Sequence, residues 1–369
     1  MRIERLRLRL IRLPLVAFFE TSFGRVYDKT FILVSVEGHG LEGLGECVAD
    51  VHPYYASETN TGAWHVIKEF LAPLVLGRTF KDARHVFPAF ARVRGHNMAK
   101  AAVEMACWDL AARAQNAPLS RLLGGTRTAI PSGVSIGIQD SHEQLAGKIE
   151  TELAAGYRRI KIKIKPGWDV DVVEMVRARF GAIPLMVDAN AAYALGDAAH
   201  LAALDRFDLM MIEQPLDYED IRDHAELQRG LATPICLDES IHSVRTAEDA
   251  IALQACRIIN IKPGRLGGHA QSIRVHDVCE QHGIPVWHGG MLESGIGRAH
   301  NIHLASLPNF SIPGDIAASK RYFVPDLIEP AIDVRADGMV NVPTGPGIGV
   351  RVDWDRVDAA TVESFDVRA

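Results

Sequence analysis

The chain is poor in cysteine: Cys47, Cys107, Cys236, Cys256 and Cys279 are the only five, and no two form a Cys-x-x-Cys pair. The odd count and wide spacing exclude a disulfide framework and predict reduced thiols in a cytoplasmic protein. Long apolar runs are missing too. The longest are strand-sized, which excludes a membrane-spanning helix. The stretch Arg2–Leu10 alternates charged and apolar residues, so it reads as a strand with one wet face and not as a secretory leader. Nor is there an excess of positive charge. A formal net charge of -6 gives no electrostatic basis for binding nucleic acid or an acidic membrane surface. Low-complexity tracts and Gly/Ser linkers are absent. Gly264-Arg265-Leu266-Gly267-Gly268 is glycine-rich but lacks the Gly-x-Gly-x-x-Gly spacing of a phosphate cradle.

What the sequence does have is a ladder of charge. Lys163, Asp188, Glu213, Asp238 and Lys262 follow one another at separations of 25, 25, 25 and 24 residues, each in or just after a short apolar run. That period equals one strand, one helix and two loops, the repeat of a parallel β/α barrel. The 369 residues suit one large barrel and a smaller partner.

Residues 1 to about 125 do not follow the period. Strand-like runs at Arg2–Leu13 and Thr30–Val36 precede Gly38, Gly40, Gly43 and Gly45, which read as turns. Helical patterns follow near Ala63–Leu71, Ala83–Val93 and Met98–Gln115, the last stopping before Pro118. This is an α+β unit. From 126 to about 320 strands alternate with amphipathic stretches. The expected strands are Val134–Ile138, Arg159–Ile164, Leu185–Val187, Leu209–Ile212, Ile235–Leu237, Ile258–Ile261, Pro285–Trp287 and Phe310–Ile312. The predicted fold is α/β: a (β/α)8, TIM-like barrel with an α+β capping domain. Residues 321–369 are expected to return to the capping unit.

Strands of a closed barrel are normally apolar on both faces, yet Lys161, Lys163 and Lys165 share one face of the second. Ammoniums there need counter-charges, and Asp188, Glu213 and Asp238 end the third, fourth and fifth strands. Three anions cannot crowd together uncompensated. A divalent ion resolves the conflict, and oxygen ligands without His or Cys favour Mg²⁺, with Mn²⁺ as a substitute. Asn190 and Glu239 stand close enough in sequence to orient these ligands. Strands two and six are opposed in an eight-stranded barrel, so Lys163 and Lys262 would face each other across whatever the ion holds. Two bases on opposite faces of one carbon suit proton exchange α to a small-molecule carboxylate, with the ion stabilising the enediolate.

Other residues read less sharply. His288 ends the seventh strand as a rival base or as a pocket-lining or packed ring, and Gly290 and Met291 follow it as substrate-supporting positions. Arg265 either tunes Lys262 or lies on a helix-start surface. Ser135 either touches substrate or serves a turn.

The Lys161-x-Lys163 pair, the three strand-end acids and Lys262 resemble the enolase superfamily, in its muconate-lactonizing branch. Stretches such as Gly45-Glu46-Cys47, Gly95–Lys100, Ile162–Asp169, Pro234–Ser240 and Asn260–Arg265 look most like the N-acylamino acid racemase and o-succinylbenzoate synthase group. The resemblance implies a Lys or His base acting with Mg²⁺, which is the known chemistry of that superfamily and not a reading of spacing. It also implies a cap closing over the barrel mouth through a loop around Phe19–Gly24 and on to Tyr54-Tyr55, and homo-oligomers, octamers among them. Two departures matter. Gly314-Asp315-Ile316-Ala317 has Ala where dipeptide epimerases carry a second acid, and Lys262 replaces the strand-six Asp of mandelate-racemase-like enzymes. A barrel glycosidase is a rival class that explains neither the opposed lysines nor three consecutive acids, and a non-catalytic metal- or ligand-binding barrel is the third option.

Overall fold

Alternating charge builds the first strand of the molecule, described here over residues 1–369 by a computed structural model. In β1 (Arg5–Thr21), Leu6, Leu8 and Ile11 are fully buried while Arg5 and Arg7 reach Glu37 and Asp366. β1 pairs antiparallel with β2 (Gly24–Gly38), which pairs with β3 (Leu41–Cys47). The C-terminal strand Thr361–Arg368 joins the other edge of β1. The β1–β2 ladder is interrupted between Pro14 and Phe19, where β1 carries extra residues. Beyond this bulge a short ribbon turns at Ser22–Phe23.

Across the sheet lies α1 (Asn97–Ala114), which buries Ala99, Ala102, Val103 and Ala106 against it. Gly43 and Gly45 are not turn residues, as their sequence suggested. They lie inside β3, where a Cβ on Gly43 would fall 2.2 Å from the Ala106 carbonyl oxygen and one on Gly45 2.1 Å from that of Ala102. Close helix-on-strand packing requires glycine there.

The period of about 25 residues produces seven parallel strands: β4 (Val134–Ile136), β5 (Ile160–Lys163), β6 (Leu185–Asp188), β7 (Ile212–Glu213), β8 (Ile235–Leu237), β9 (Ile258–Ile261) and β10 (Val286–His288). They neighbour one another in chain order. Most are covered by helices: α2 (His142–Ala154), α3 (Val170–Phe180), α4 (Ala198–Ala202), α5 (Arg222–Gly230), α6 (Val244–Ala252), α7 (His269–Gln281) and α8 (Gly295–Leu304). None is long and apolar enough to cross a membrane.

The eighth expected strand, Phe310–Ile312, does not form a ladder. Its segment makes single parallel bridges, Phe310 with Val286 and Gly314 with Ser132. Gly133 N–H donates to the Gly314 carbonyl at 2.7 Å, and Asp315 N–H to that of His288 at 2.8 Å. Pro308 and Pro313 bracket the segment and have no N–H to offer a regular ladder.

Buried carboxylates tie the two units together. Glu46 of β3 accepts hydrogen bonds from Ser294 N (3.0 Å), the Ser294 hydroxyl (2.5 Å) and Gly297 N (3.1 Å) at the start of α8. Glu104 of α1 does the same for α7, accepting from His269 N at 2.8 Å and Ala270 N at 2.9 Å. Each acid meets unpaired N–H groups and the positive end of a helix dipole, so the cap is held in register and not merely by apolar contact.

Burial, opposed by those hydrogen bonds, pushes both carboxyls up from 4.5 to about 7. Each therefore keeps its proton in the folded state where the unfolded chain has lost it. The stability this proton lends is fully present below about pH 4.5 and is lost as pH rises through about 7. The unfolding free energy should fall across this window by up to roughly 3 kcal/mol per group. Glu104→Gln should flatten the fall in urea titrations at pH 5 and 7.5. An unaltered pH slope in that variant contradicts the assignment.

Candidate active site

Strand register brings the ladder together. Lys163 of β5 pairs with Asp188 of β6, and Asp188 with Glu213 of β7, so these side chains project at one height into the sheet's concave face. Lys161, two residues earlier, lies one layer deeper. Asp238 and Lys262 follow β8 and β9. All six are buried. The contacts alternate in sign. Asp188 accepts from Lys163 (2.6 Å) and Lys161 (3.1 Å). Glu213 accepts from Lys161 (2.9 Å) and the Asn260 amide (2.6 Å). Asp238 accepts from Lys262 (2.7 Å) and touches the Arg265 guanidinium.

Charge pairing decides which groups titrate abnormally. Burial alone would raise the Asp188 carboxyl, but the two lysines override it and hold it well below the ordinary range. Burial would lower Lys262, yet Asp238 overrides it and holds the ammonium above its ordinary range. Glu213 is left under-compensated. Burial and then the Asp188 charge push it up to about 8. Glu239 is pushed equally far, to about 8, by burial and Asp238. Three buried carboxylates at the ends of neighbouring strands, all hard oxygen donors, fit a divalent cation among Asp188, Glu213 and Asp238. His276, Asp277 and Glu280 also cluster. Both nitrogens of that imidazole are already engaged, by Asp277 at 2.8 Å and Asn309 N at 3.0 Å.

The supporting residues fall around this centre. The Asn190 side chain bridges Lys163 (2.6 Å) and Glu239 (2.9 Å), while its backbone N–H donates to Asp188 at 3.0 Å. Asn190 and Gln214 both have positive φ, 42° and 37°, which places backbone strain at the strand ends. Ser135 is buried on the cavity wall, and its hydroxyl has no hydrogen-bond partner. Gly290 and Met291 line the same wall. Arg265 is not at a surface: it is buried against Asp238, and its Nε donates to Ile241 O at 2.6 Å.

One sequence reading is corrected, and of the readings offered for His288 the packed ring is the one found. Lys165 lies past the end of β5, where it is partly exposed and pairs with Glu20 of the cap at 3.3 Å, so it does not share the interior with Lys161 and Lys163. His288 alternates to the face opposite Trp287. Its ring stacks on Phe310 with centroids 6.1 Å apart, neither nitrogen has a partner, and burial pushes it down to about 3. It is a packed, neutral ring.

Four residues escaped sequence reasoning. Tyr55, from the cap, donates its hydroxyl to Asp238 at 3.1 Å and accepts from Lys262 at 3.0 Å. Asp315 is buried against Lys161 (2.8 Å) and Arg159 (2.7 Å). Gly289 leaves room for Lys262: a Cβ there would fall 2.4 Å from its Cε. Arg298 is buried on the cavity wall and donates to the carbonyls of Ala317 and Glu293, without a carboxylate partner. Tyr55 lay in a stretch the sequence had marked, as part of the covering loop, and Asp315 in the Gly314–Ala317 stretch set beside the dipeptide epimerases, with no role given to it. The cavity itself, about 530 Å³, has Lys161, Lys163 and Lys262 at its base and Phe19, Phe23, Tyr27 and Tyr54 of the cap around it.

A parallel α/β sheet bearing acids at successive strand ends, under an α+β cap, defines a class that relatives make specific. Residues 9–124 match the mandelate racemase / muconate lactonizing enzyme N-terminal domain, and residues 144–356 the enolase C-terminal domain-like family. The chain belongs to the enolase superfamily, whose members typically use a divalent metal. It is 52% identical over 360 residues to an o-succinylbenzoate synthase of Geobacillus kaustophilus, covering 97% of this chain and 96% of the relative. It is 50% identical over 362 residues to an N-succinylamino acid racemase of Thermus thermophilus, covering 98% of each. A crystallised enolase-superfamily member from Listeria innocua superimposes with a TM-score of 0.96 at 41% identity, over 100% of this chain and 99% of that one.

Gly289→Ala should displace the Lys262 side chain. A shift of about 1 Å at a reacting group lowers kcat on the order of 100-fold. Turnover of a racemisable carboxylate should show that loss while the melting temperature changes little; unchanged kcat would remove Gly289 from the site.

Proposed function

We propose that the chain removes the α-proton of a carboxylate substrate with Mg²⁺ held by Asp188, Glu213 and Asp238, and that it racemises N-succinyl amino acids, dehydrates the o-succinylbenzoate precursor, or does both. The observation that carries this reading is the placement of Lys163 and Lys262 on strands four apart, both lining one cavity and both touching the carboxylates between them. The names of the two relatives at about half identity support it.

A divalent cation bound there would supply charge for the second negative oxygen that develops on the substrate carboxylate, and would occupy the carboxylates that otherwise pair with the lysines. The residues do the rest. Lys163 Nζ takes the proton from one face of the α-carbon, while Lys262 Nζ stands at the other. In racemisation Lys262 delivers a proton to its own face, and the roles reverse for the enantiomer. In dehydration Lys163 takes the proton and hydroxide leaves the adjacent carbon on the same side, while protonated Lys262 stabilises the charge opposite. Tyr55 and Arg265 steady Lys262 and Asp238, Asn190 steadies Lys163, and Ser135 offers a free hydroxyl. In this reading residues 1–125 form the cap, 126–320 a barrel in which the Phe310–Asp315 segment serves as eighth stave, and 321–369 a return to the cap. Homo-oligomers, as in the family, complete the proposal.

Lys163→Ala and Lys262→Ala should each abolish racemisation of N-succinyl amino acids at saturating Mg²⁺. In heavy water each single variant should still wash out the α-proton of one enantiomer, opposite for the two. Near-wild-type racemisation by either variant rules out the two-base assignment. Chelation should abolish every activity, and persistence of turnover after it would favour a metal-free barrel chemistry. Comparing kcat/KM for racemisation and dehydration decides which product the site favours.

A further inference from the structure

Lys161 touches three carboxylates: Asp315 at 2.8 Å, Glu213 at 2.9 Å and Asp188 at 3.1 Å. Two of these are proposed metal ligands. The third is not on the ladder and comes from the irregular segment that replaces an eighth strand. Asp315 is anchored independently of the metal site, because Arg159, fully buried, contacts it at 2.7 Å. Arg159 is fixed in turn by Val134 O (3.3 Å) and Pro313 O (2.9 Å), and glycine at 133 leaves its guanidinium space. Both cations lie against the Trp287 ring, Lys161 at 4.8 Å and Arg159 at 5.0 Å from its centroid.

A divalent ion and an ammonium cannot share Asp188 and Glu213 on equal terms. An ammonium within about 3 Å of two ligand oxygens repels an arriving ion. We propose that Asp315 is a positioning residue for the metal site: it keeps Lys161 neutralised on the inner side, so that Asp188 and Glu213 can turn from the ammonium to the cation. The Arg159–Asp315–Lys161 chain thus sets metal affinity through Lys161. This rests on the metal reading proposed above for Asp188, Glu213 and Asp238.

The test is Mn²⁺ binding to the full-length protein, followed by isothermal titration calorimetry or by the free-Mn²⁺ electron paramagnetic resonance signal. Asp315→Asn should weaken Mn²⁺ by about 10–100-fold, the usual cost of losing a group that orients metal ligands. In a Lys161→Met background the same substitution should cost less than threefold, because nothing remains to be held back. An equal loss in both backgrounds would show a general charge effect and overturn the proposal, as would unchanged affinity in the single variant. Should Asp315→Asn fail to fold by circular dichroism, Lys161→Met alone decides. It should bind Mn²⁺ at least as tightly as wild type, and a tenfold weakening refutes the idea. If wild type binds no Mn²⁺, the metal reading fails first, which separates the two failures.

Discussion

Charge neutrality in a buried mouth is the constraint on which this molecule depends. Asp188, Glu213, Asp238, Glu239 and Asp315 all lie out of solvent at one end of the sheet, with Lys161, Lys163, Lys262, Arg159 and Arg265 among them. Desolvating so many ions costs far more than any surface pair returns, and the cost is bearable only where each charge meets an opposite one at hydrogen-bonding distance. The register of β5 and β6 achieves that for Lys163 and Asp188. Where pairing is incomplete, at Glu213 and Glu239, the carboxyls move up to about 8.

The cap obeys the same electrostatic rule on a larger scale. Glu46 and Glu104 sit at the starts of α8 and α7, where unpaired N–H groups substitute for a cation. Tyr55, which bridges Asp238 and Lys262, hangs from the cap, so the position of one unit sets the geometry of a buried lysine on the other. Fold stability and site geometry are therefore linked through the interface and not only through the barrel strands.

The sequence exposed the ladder because a β/α repeat has nearly constant length, and strand-end position converts that length into spatial neighbourhood. Lys163, Asp188, Glu213, Asp238 and Lys262 were legible for this reason, and so were the first seven strands within a few residues. Asp315 was not legible as a partner of Lys161, because it follows a proline-bracketed segment whose bridges carry no periodic signal. His288 was ambiguous because a strand end gives position along the strand but not the face, and Gly289, its neighbour, takes the inner one. Gly43 and Gly45 misled because a glycine demanded by helix packing has the same letter as one demanded by a turn.

The bulge between Pro14 and Phe19 separates two parts of one hairpin. Its proximal half belongs to the sheet that anchors the cap, while its distal ribbon carries Phe19 and Phe23 to the cavity and donates the Ser22 hydroxyl to the Asn190 carbonyl at 3.1 Å. Extra residues are already absorbed at that joint by a shift of register, and β1 and β2 pair on both sides of it. Insertions, deletions or exchanges in the ribbon can therefore recast the cavity wall while the ladder beneath keeps its pairing. Cavity wall and charged base reside on separate pieces of the chain, so one can be remodelled without rebuilding the other.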